Sequence, residues 1–167
     1  SLNPYNFRIS GTADEIVADI VKGELDIAAV PANLASVLYN KTEGKISAAA
    51  INTLGVLYIV ENGNTVNSLE DLKGKTVYST GKGTTPEYAL NYLLTSNGID
   101  PQKDLTIEYK AESTEVAAVL ASTPDAIGVL PEPFVTVAKS KNENLRDAIS
   151  FGDEWKKING EELVTGV

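Results

Sequence analysis

Residues 80–88, with the sequence TGKGTTPEY, place two glycines and two adjacent threonines ahead of a proline. Gly81 and Gly83 allow the backbone to approach a bound group closely. Hydroxyls of Thr84 and Thr85, together with the free N–H groups that begin a helix, can bind an anion or another polar group. The alternative is an ordinary turn, in which one threonine caps the helix. The spacing lacks the Gly-Lys-Ser/Thr of a nucleotide-binding phosphate loop.

An apolar strand and an amphipathic helix flank this corner. Residues 75–79 are typical of a strand, and Pro86 and Glu87 suit the first turn of a helix. Apolar and aromatic side chains then repeat every fourth residue until Asn97-Gly98 ends the helix. The corner therefore lies where a strand passes into a helix.

Composition narrows the possible functions. The 167 residues suit one large domain or two small ones. A net charge of −9 argues against nucleic acid and anionic membrane surfaces as partners. Cysteine and histidine are absent, which removes disulfides, thiolate metal sites, cysteine nucleophiles and the commonest general base. No apolar run approaches 18 residues, so no membrane-spanning helix is predicted.

Strand patterns alternate with helix patterns along the chain, which predicts an α/β fold with mainly parallel sheets. The predicted strands cover residues 7–10, 26–30, 46–52, 54–60, 75–79, 105–109, 126–130 and 148–151. The predicted helices cover residues 13–21, 32–39, 69–73, 86–96, 113–121 and 133–139.

One segment repeats when the chain is shifted by 100 residues without a gap. Glu15 then aligns with Glu115 and Pro31 with Pro131, and three further positions within residues 15–37 are identical. Each copy has the pattern helix, apolar strand, proline, helix. The repeat suggests two lobes of similar topology that divide near residues 53–66. Such proteins usually bind their ligand between the lobes, at the carboxyl ends of the strands.

Several stretches resemble a known family. The sequence LEDLKGKTV at 69–77, the Gly-Thr-Thr-Pro helix start, GELDIA at 23–28 and LPEPF at 130–134 are similar to type II periplasmic binding proteins. The resemblance spans residues 9–140 and is strongest to the nitrate/sulfonate/taurine-like and thiamine-precursor-like branch of the solute-binding proteins of ABC transporters. It implies a two-lobed α/β type II periplasmic-binding-protein fold.

Such proteins are about twice as long as this chain. We therefore expect a central fragment, in which lobe two is complete and lobe one is partial. The expected division is residues 1–58 for partial lobe one, 59–159 for lobe two and 160–167 for the return crossover toward lobe one. The open sheet edge of lobe one would favour a dimer or an exchange of elements between copies.

The resemblance also implies a set of ligand-binding residues. From lobe one they are Thr12, Pro31, Ala32, Asn33, Asn52 and Thr53; from lobe two they are Gly83, Thr84, Thr85, Glu112, Ser113 and Glu132.

Other roles remain open for some side chains near this set. Glu132 could bind a ligand amine or face solvent, and we expect Lys82 to be a solvated loop charge. Tyr88 and Tyr92 are expected in the core, and Trp155 is expected to anchor the packing under the second crossover.

The function implied is that of the substrate-binding component of an ABC importer. It would capture a small polar or anionic solute, such as a sulfonate, carboxylate or pyrimidine-like amine, and deliver it to a permease driven by an ATPase. No catalysis, cofactor, metal or nucleic acid is expected. The expected location is extracytoplasmic, in the periplasm or as a membrane-anchored lipoprotein, with the signal segment absent from these residues.

Two alternatives use the same fold. One is a metabolic enzyme resembling those of menaquinone or thiamine synthesis, although the thiamine-type enzymes use a histidine and a cysteine cluster that this chain lacks. The other is the effector-sensing domain of a transcription regulator, which would need an attached DNA-binding domain.

Overall fold

The computed structural model describes residues 4–10, 13–51 and 55–161. It divides the chain into two compact units, Ser1–Asn52 with Gly166–Val167 and Thr53–Thr165. The lobe boundaries expected from the sequence stay a prediction.

The first unit contains two helices, α1 (Ala13–Lys22) and α2 (Ala32–Lys41). Helix α1 and the later helix over Ser113–Ser122 are offset by 100 residues at both ends, as the internal repeat indicates. The Arg8 guanidinium lies 2.6 Å from the Asp19 carboxylate and fixes the preceding segment against α1.

The strands predicted at 7–10, 26–30 and 46–52 are wrong for the described residues of these segments, which form no ladder with one another. Ile9 and Ile27 are 98% and 78% exposed. An apolar sequence favours a strand only where a neighbouring strand accepts and donates its backbone hydrogen bonds. Within this unit the described residues supply no such neighbour.

The second unit contains a five-stranded sheet in the order β3-β2-β4-β1-β5. Its strands are β1 (Leu57–Asn62), β2 (Thr76–Ser79), β3 (Thr106–Tyr109), β4 (Ile127–Pro131) and β5 (Leu145–Ser150). Its helices are α3 (Thr85–Ser96), α4 (Ser113–Ser122), α5 (Phe134–Lys141) and α6 (Phe151–Asn159). A 3₁₀ turn over Leu69–Leu72 precedes β2, and the Asp71 carboxylate accepts the Ser68 N–H at 2.9 Å, which confirms the predicted helix start.

Four strands run in one direction and β1 runs against them. Strand β2 is parallel to both β3 and β4, whereas β1 pairs antiparallel with β4 and β5. The expectation of a mainly parallel sheet holds for strand direction. The sequence did not predict that the first strand of the unit inserts between β4 and β5.

Two apolar layers cover the faces of the sheet. Leu90, Leu93 and Leu94 of α3 pack on one face together with Phe151, and α4 and α5 cover the other face. The prediction that Tyr88 is in the core is wrong, because its side chain is 63% exposed.

Tyr92 is also partly exposed, but it joins two helices. Its ring centroid lies 4.6 Å from that of Trp155, and its hydroxyl donates to the Asn159 side-chain oxygen at 2.7 Å. These contacts link α3 to α6. Trp155 packs on the core as expected, and the aromatic contact adds to the helix pairing.

Helix α4 approaches the sheet closely at Gly128. A methyl group at this position would lie 2.8 Å from a Val116 methyl carbon and 3.2 Å from the Tyr78 carbonyl oxygen. Both neighbours belong to packed elements, and one is backbone. Gly128 therefore sets the distance between α4 and β4.

We expect Gly128→Ala to lower the free energy of unfolding by about 1–3 kcal/mol, because the added methyl overpacks a tight contact. Gly152→Ala is the matched control, since the nearest atoms to its added methyl are 3.6 Å and 3.8 Å away. Chemical denaturation followed by circular dichroism measures both. Equal stability of the two variants would contradict a close approach of α4 to the sheet at Gly128.

A partly buried ion pair joins β1 to β5. Glu61 is fully buried, and one carboxylate oxygen lies 2.8 Å from the Arg146 guanidinium. The same carboxylate accepts N–H bonds from Thr65 at 2.8 Å and Val66 at 3.1 Å. Burial opposes ionisation, but the hydrogen bonds from Thr65, Val66 and Arg146 outweigh it, so the pKa of Glu61 lies below its ordinary value.

Glu61→Gln should lower the free energy of unfolding by about 2–4 kcal/mol at neutral pH, because it leaves Arg146 without its charged partner. The control is Asp147→Asn, which removes the half-exposed ion pair with Lys139 and should cost about 0–1 kcal/mol. Urea denaturation compares the two.

The effect of Glu61→Gln should also depend on pH. A carboxyl whose pKa is lower in the folded state stabilises the fold above its unfolded pKa, and this contribution is lost as pH falls through the folded pKa. The stability difference between wild type and Glu61→Gln should therefore shrink in acid. A constant difference would contradict an ionised Glu61.

Candidate functional site

The sheet of the second unit brings the predicted lobe-two residues to one end, where its parallel strands have their carboxyl ends. Strands β2, β3 and β4 are parallel, and each is followed by a helix, α3, α4 or α5. The carboxyl ends of the strands and the N-termini of the helices therefore lie at the same end of the sheet. The corner after β2, defined as residues 80–87, is flanked by the ends of β3 and β4 because β2 lies between them.

Two glycines with positive φ shape this corner. Gly81 has a φ of +68° and Gly83 a φ of +79°, a region that glycine enters without strain. The Thr84 N–H donates to the Gly81 carbonyl at 2.9 Å, and the Thr84 hydroxyl donates to the same oxygen. Thr84 is the N-cap of α3, but its hydroxyl accepts no N–H bond. A threonine is therefore the N-cap residue, as the turn alternative predicts, but the side-chain hydrogen bond of that alternative is not formed.

Glu87 supplies the acceptor that Thr84 does not. Its carboxylate accepts a hydrogen bond from the Gly83 N–H, so that donor is already used. Pro86 has no N–H group. Among the described residues, no acceptor is in hydrogen-bonding geometry with the N–H groups of Thr85 and Glu87 or with the Thr85 hydroxyl. These three donors remain for a ligand.

Tyr109 ends β3 beside the same corner. Burial raises the pKa of its phenol, and the nearby Glu87 carboxylate raises it further, to about 12. Lys82 is exposed, as expected, and its ammonium lies 5.8 Å from the centre of the Tyr109 ring. The corner therefore combines one carboxylate, one neutral phenol and one cation.

A second lysine lies at the end of β3. The Lys110 ammonium lies 5.2 Å from the centre of the Tyr78 ring and 3.5 Å from the Glu108 carboxylate. Tyr78 packs against the layer formed by α4 and α5. The charge of Lys110 is therefore paired with a carboxylate.

The other candidates of the second unit begin the next two helices. Glu112 is the exposed N-cap of α4, and Ser113 begins that helix. The Glu132 carboxylate accepts bonds from the Thr136 N–H at 3.3 Å and the Thr136 hydroxyl at 2.9 Å. The Glu132 side chain faces solvent, and its bonds to Thr136 stabilise the first turn of α5. Its role toward a ligand amine stays a prediction.

The candidates of the first unit lie at the start of α2 or outside the described residues. Pro31 is the N-cap of α2, and its carbonyl oxygen accepts from the N–H groups of Leu34 and Ala35 at 2.9 Å and 3.0 Å. Ala32 and Asn33 form the first turn. The remaining candidates, Thr12, Asn52 and Thr53, lie outside the described residues.

Sequence reasoning missed the contacts made by Glu87 and Tyr109. Glu87 was assigned only to the favourable end of the helix dipole. Its place three residues after Thr84 is the position from which an acidic side chain can bond back to the backbone before a helix, and that spacing could have indicated the contact.

Residues 4–10, 13–51 and 55–161 contain neither a cluster of metal-ligating side chains nor a membrane-spanning helix. In these ranges no group of three or more acidic side chains is arranged to hold a metal ion. No helix there is long and apolar enough to cross a membrane.

A family model described as "ABC transporter, phosphonate, periplasmic substrate-binding protein" matches residues 3–160. The chain belongs to this family. Its members are periplasmic binding proteins, which implies an extracytoplasmic location, and they are solute-binding components of transporters rather than enzymes. The resemblance to ABC-transporter binding proteins is confirmed at this level, whereas the nitrate/sulfonate branch stays a prediction.

Solved structures support the same fold. An ABC transporter protein from Parabacteroides distasonis is 29% identical, with a TM-score of 0.72 over 87% of this chain and 48% of its own. The periplasmic aliphatic sulphonate binding protein SsuA from Escherichia coli is 16% identical, with a TM-score of 0.60 over 83% and 47%. A periplasmic binding protein from Brucella ovis with glutathione bound is 15% identical, with a TM-score of 0.56 over 80% and 41%.

The chain spans about half the length of these binding proteins. No curated protein matched the sequence. The α/β type II periplasmic-binding-protein fold expected from the sequence is confirmed.

Tyr109 gives a direct test of the corner geometry in this binding protein. Glu87→Gln should lower the pKa of Tyr109 from about 12, because it removes the carboxylate charge, but burial should keep it above the ordinary value. The measurement is the spectrophotometric tyrosine titration, with Tyr109→Phe identifying the signal. Identical titration of Tyr109 in the wild type and in Glu87→Gln would contradict an influence of the Glu87 carboxylate on this phenol.

Proposed function

We propose that this chain forms part of the solute receptor of an ABC importer and binds a small oxyanion at the corner after β2. The observation that carries the proposal is the set of three unused donors there, the Thr85 N–H and hydroxyl and the Glu87 N–H. The family match supports a substrate-binding role. The corner supports an oxyanion because each of the three unused groups can donate a hydrogen bond.

The donors lie where helix α3 begins, and a helix N-terminus attracts negative charge. This attraction contributes about 0.3–1 kcal/mol at an exposed site and up to about 2 kcal/mol when partly buried. The Lys82 ammonium adds positive charge near the corner of a chain whose net charge is −9, whereas Lys110 is paired with Glu108. Binding would therefore depend on this edge rather than on long-range attraction.

A tetrahedral head group is the chemistry that fits best. A phosphonate or sulfonate has three terminal oxygens and can accept from several converging donors at once. The matched family is described by phosphonate, and one structural neighbour binds an aliphatic sulphonate. Carboxylates remain a weaker candidate because they offer two oxygens. A pyrimidine-like amine would instead need acceptors such as the carboxylate of Glu132.

The remaining features of the proposal follow from the importer role. The receptor would work outside the cytoplasm, in the periplasm or as an anchored lipoprotein, and would deliver its solute to a permease and ATPase. Gly83 would contribute close backbone approach, and Glu112, Ser113 and the first-unit candidates would extend the ligand contacts. Pairing of two copies, or exchange of elements between them, stays a prediction.

Thr85→Val tests the anchor. In the full-length protein, affinity for methylphosphonate or methanesulfonate should fall at least about tenfold, equivalent to about 1.4 kcal/mol, because the nearly isosteric valine removes the free hydroxyl. Isothermal titration calorimetry measures the affinity.

Thr95→Val is the matched control. Thr95 lies at the opposite end of α3, where its hydroxyl donates to the Asn91 carbonyl at 2.8 Å. This variant should bind as the wild type does. Equal affinities of Thr85→Val and Thr95→Val would place the anchor elsewhere, and a wild type that binds none of the oxyanions would overturn the proposed function.

A further inference from the structure

The internal repeat relates the helices of the two units position by position. Helices α1 and α4 are offset by 100 residues at both ends, and α2 and α5 end at positions with the same offset. Val37 and Val137 are 44% and 47% exposed, and Val30 and Leu130 are both buried. At these positions the two units therefore bury and expose the same side chains.

The exposure of the strand positions differs between the two units. Ile127 of β4 is 1% exposed and lies opposite Val77 of β2, whereas Ile27, at the equivalent position, is 78% exposed. Along this segment Ile27 and Ala29 are exposed and Val30 is buried. Such alternation is typical of an extended segment with one covered face. The other face of the segment lacks the cover that β4 has.

The missing cover corresponds to β2 and α3. The offset aligns residues 6–9 with β3 and residues 27–31 with β4. In the second unit β2 lies between β3 and β4 and pairs with both in parallel, and Leu90 of α3 shares an apolar cluster with Ile127. The same offset places the equivalents of β2 and α3 before residue 1. The first unit therefore has equivalents of the two flanking strands but not of the strand–helix segment between them.

The segment equivalent to β3 presents apolar side chains to solvent. Phe7 and Ile9 are both exposed, and the Tyr5 ring centroid lies 6.2 Å from that of Phe7. Between them, Arg8 contacts Asp19 of α1 at 2.6 Å and holds the segment against that helix. An extended segment with exposed apolar side chains and an unpaired backbone is a surface onto which another strand can pair.

We propose that a strand–helix segment of the full-length polypeptide, from outside residues 1–167, covers this surface. Its strand lies parallel between residues 6–9 and 27–31, as β2 lies between β3 and β4, and its helix packs on Ile27 and Ala29. The strand is apolar on both faces, and the helix has one apolar stripe. The proposal explains why segments with strand-like sequences form no ladder with each other.

Two observations favour a segment of the same polypeptide. The chain spans 48% and 47% of the length of two binding proteins that share its fold, so relatives have residues to supply such a segment. A second copy of these 167 residues is a poorer source. Its own β2 and α3 are already paired and packed within its second unit.

Thiol labelling tests the proposal, because the 167 residues contain no cysteine. Ile27→Cys is made in the full-length protein and in the 167-residue chain, and each reacts with a maleimide under native conditions. Mass spectrometry measures the labelling rate, with the unsubstituted proteins as blanks. We expect labelling at position 27 to be at least about tenfold slower in the full-length protein, because a buried thiol reacts only during local opening.

Two further positions are matched controls. Val37→Cys should react at similar rates in both proteins, because Val137 is equally exposed in a unit where β2 and α3 are present. Ile127→Cys should be protected in both. Circular dichroism verifies folding, and Ala29→Cys, a smaller change on the same face, replaces Ile27→Cys if that variant does not fold.

Each outcome decides for or against the proposal. Slower labelling of Ile27→Cys in the full-length protein, with unchanged labelling of Val37→Cys, supports it. Equal rapid labelling of Ile27→Cys in both proteins overturns it. Protection in the 167-residue chain that increases with protein concentration would show that a second copy covers the face, and protection at every concentration would show that the face is already covered. Either result overturns the proposal.

Discussion

The parallel pairing of β2 with β3 and β4 is the constraint on which the candidate site depends. Parallel strands cannot be joined by a short hairpin, so each must be followed by a crossover element that returns along the sheet. In the second unit these elements include α3, α4 and α5. Every crossover helix then begins at the carboxyl ends of the strands, so its free N–H groups lie at that end of the sheet. Backbone N–H groups of the helices therefore supply hydrogen-bond donors at this end of the sheet, whatever side chains are present there.

The antiparallel strand β1 joins the parallel strands β2, β3 and β4 to β5, the last strand of the unit. It pairs with β4 on one side and with β5 on the other, so it carries hydrogen bonds on both edges. Glu61 reinforces this position because its carboxylate binds both the loop after β1 and Arg146 of β5. Gly128 fixes α4 close to the same strands. The end of the sheet that carries the candidate site is thus stabilised by contacts inside the sheet.

Sequence patterns predicted local elements better than their partners. The helix after residue 84 could be predicted because a threonine pair, Pro86 and apolar residues at every fourth position all favour it. The central position of β1 could not be predicted, because strand order depends on distant pairing that no local pattern encodes. Apolar segments such as 26–30 were predicted as strands from composition alone, which says nothing about whether a neighbour is present. Tyr88 was misplaced because an apolar repeat does not say which stripe of the helix faces the core.

The corner shows why a helix start and a binding site are hard to distinguish from sequence. Both need glycine, small hydroxyl residues and free N–H groups, and both are stabilised by a nearby negative charge. Here the chain supplies part of that charge itself through Glu87, which completes the helix start and leaves the donors of Thr85 unused. A chain that needed only a capped helix could satisfy its start with the Thr84 hydroxyl, yet that hydroxyl instead closes the turn onto Gly81. The division of roles between Thr84, which shapes the loop, and Thr85, which keeps its donors free, favours a corner built to receive a ligand.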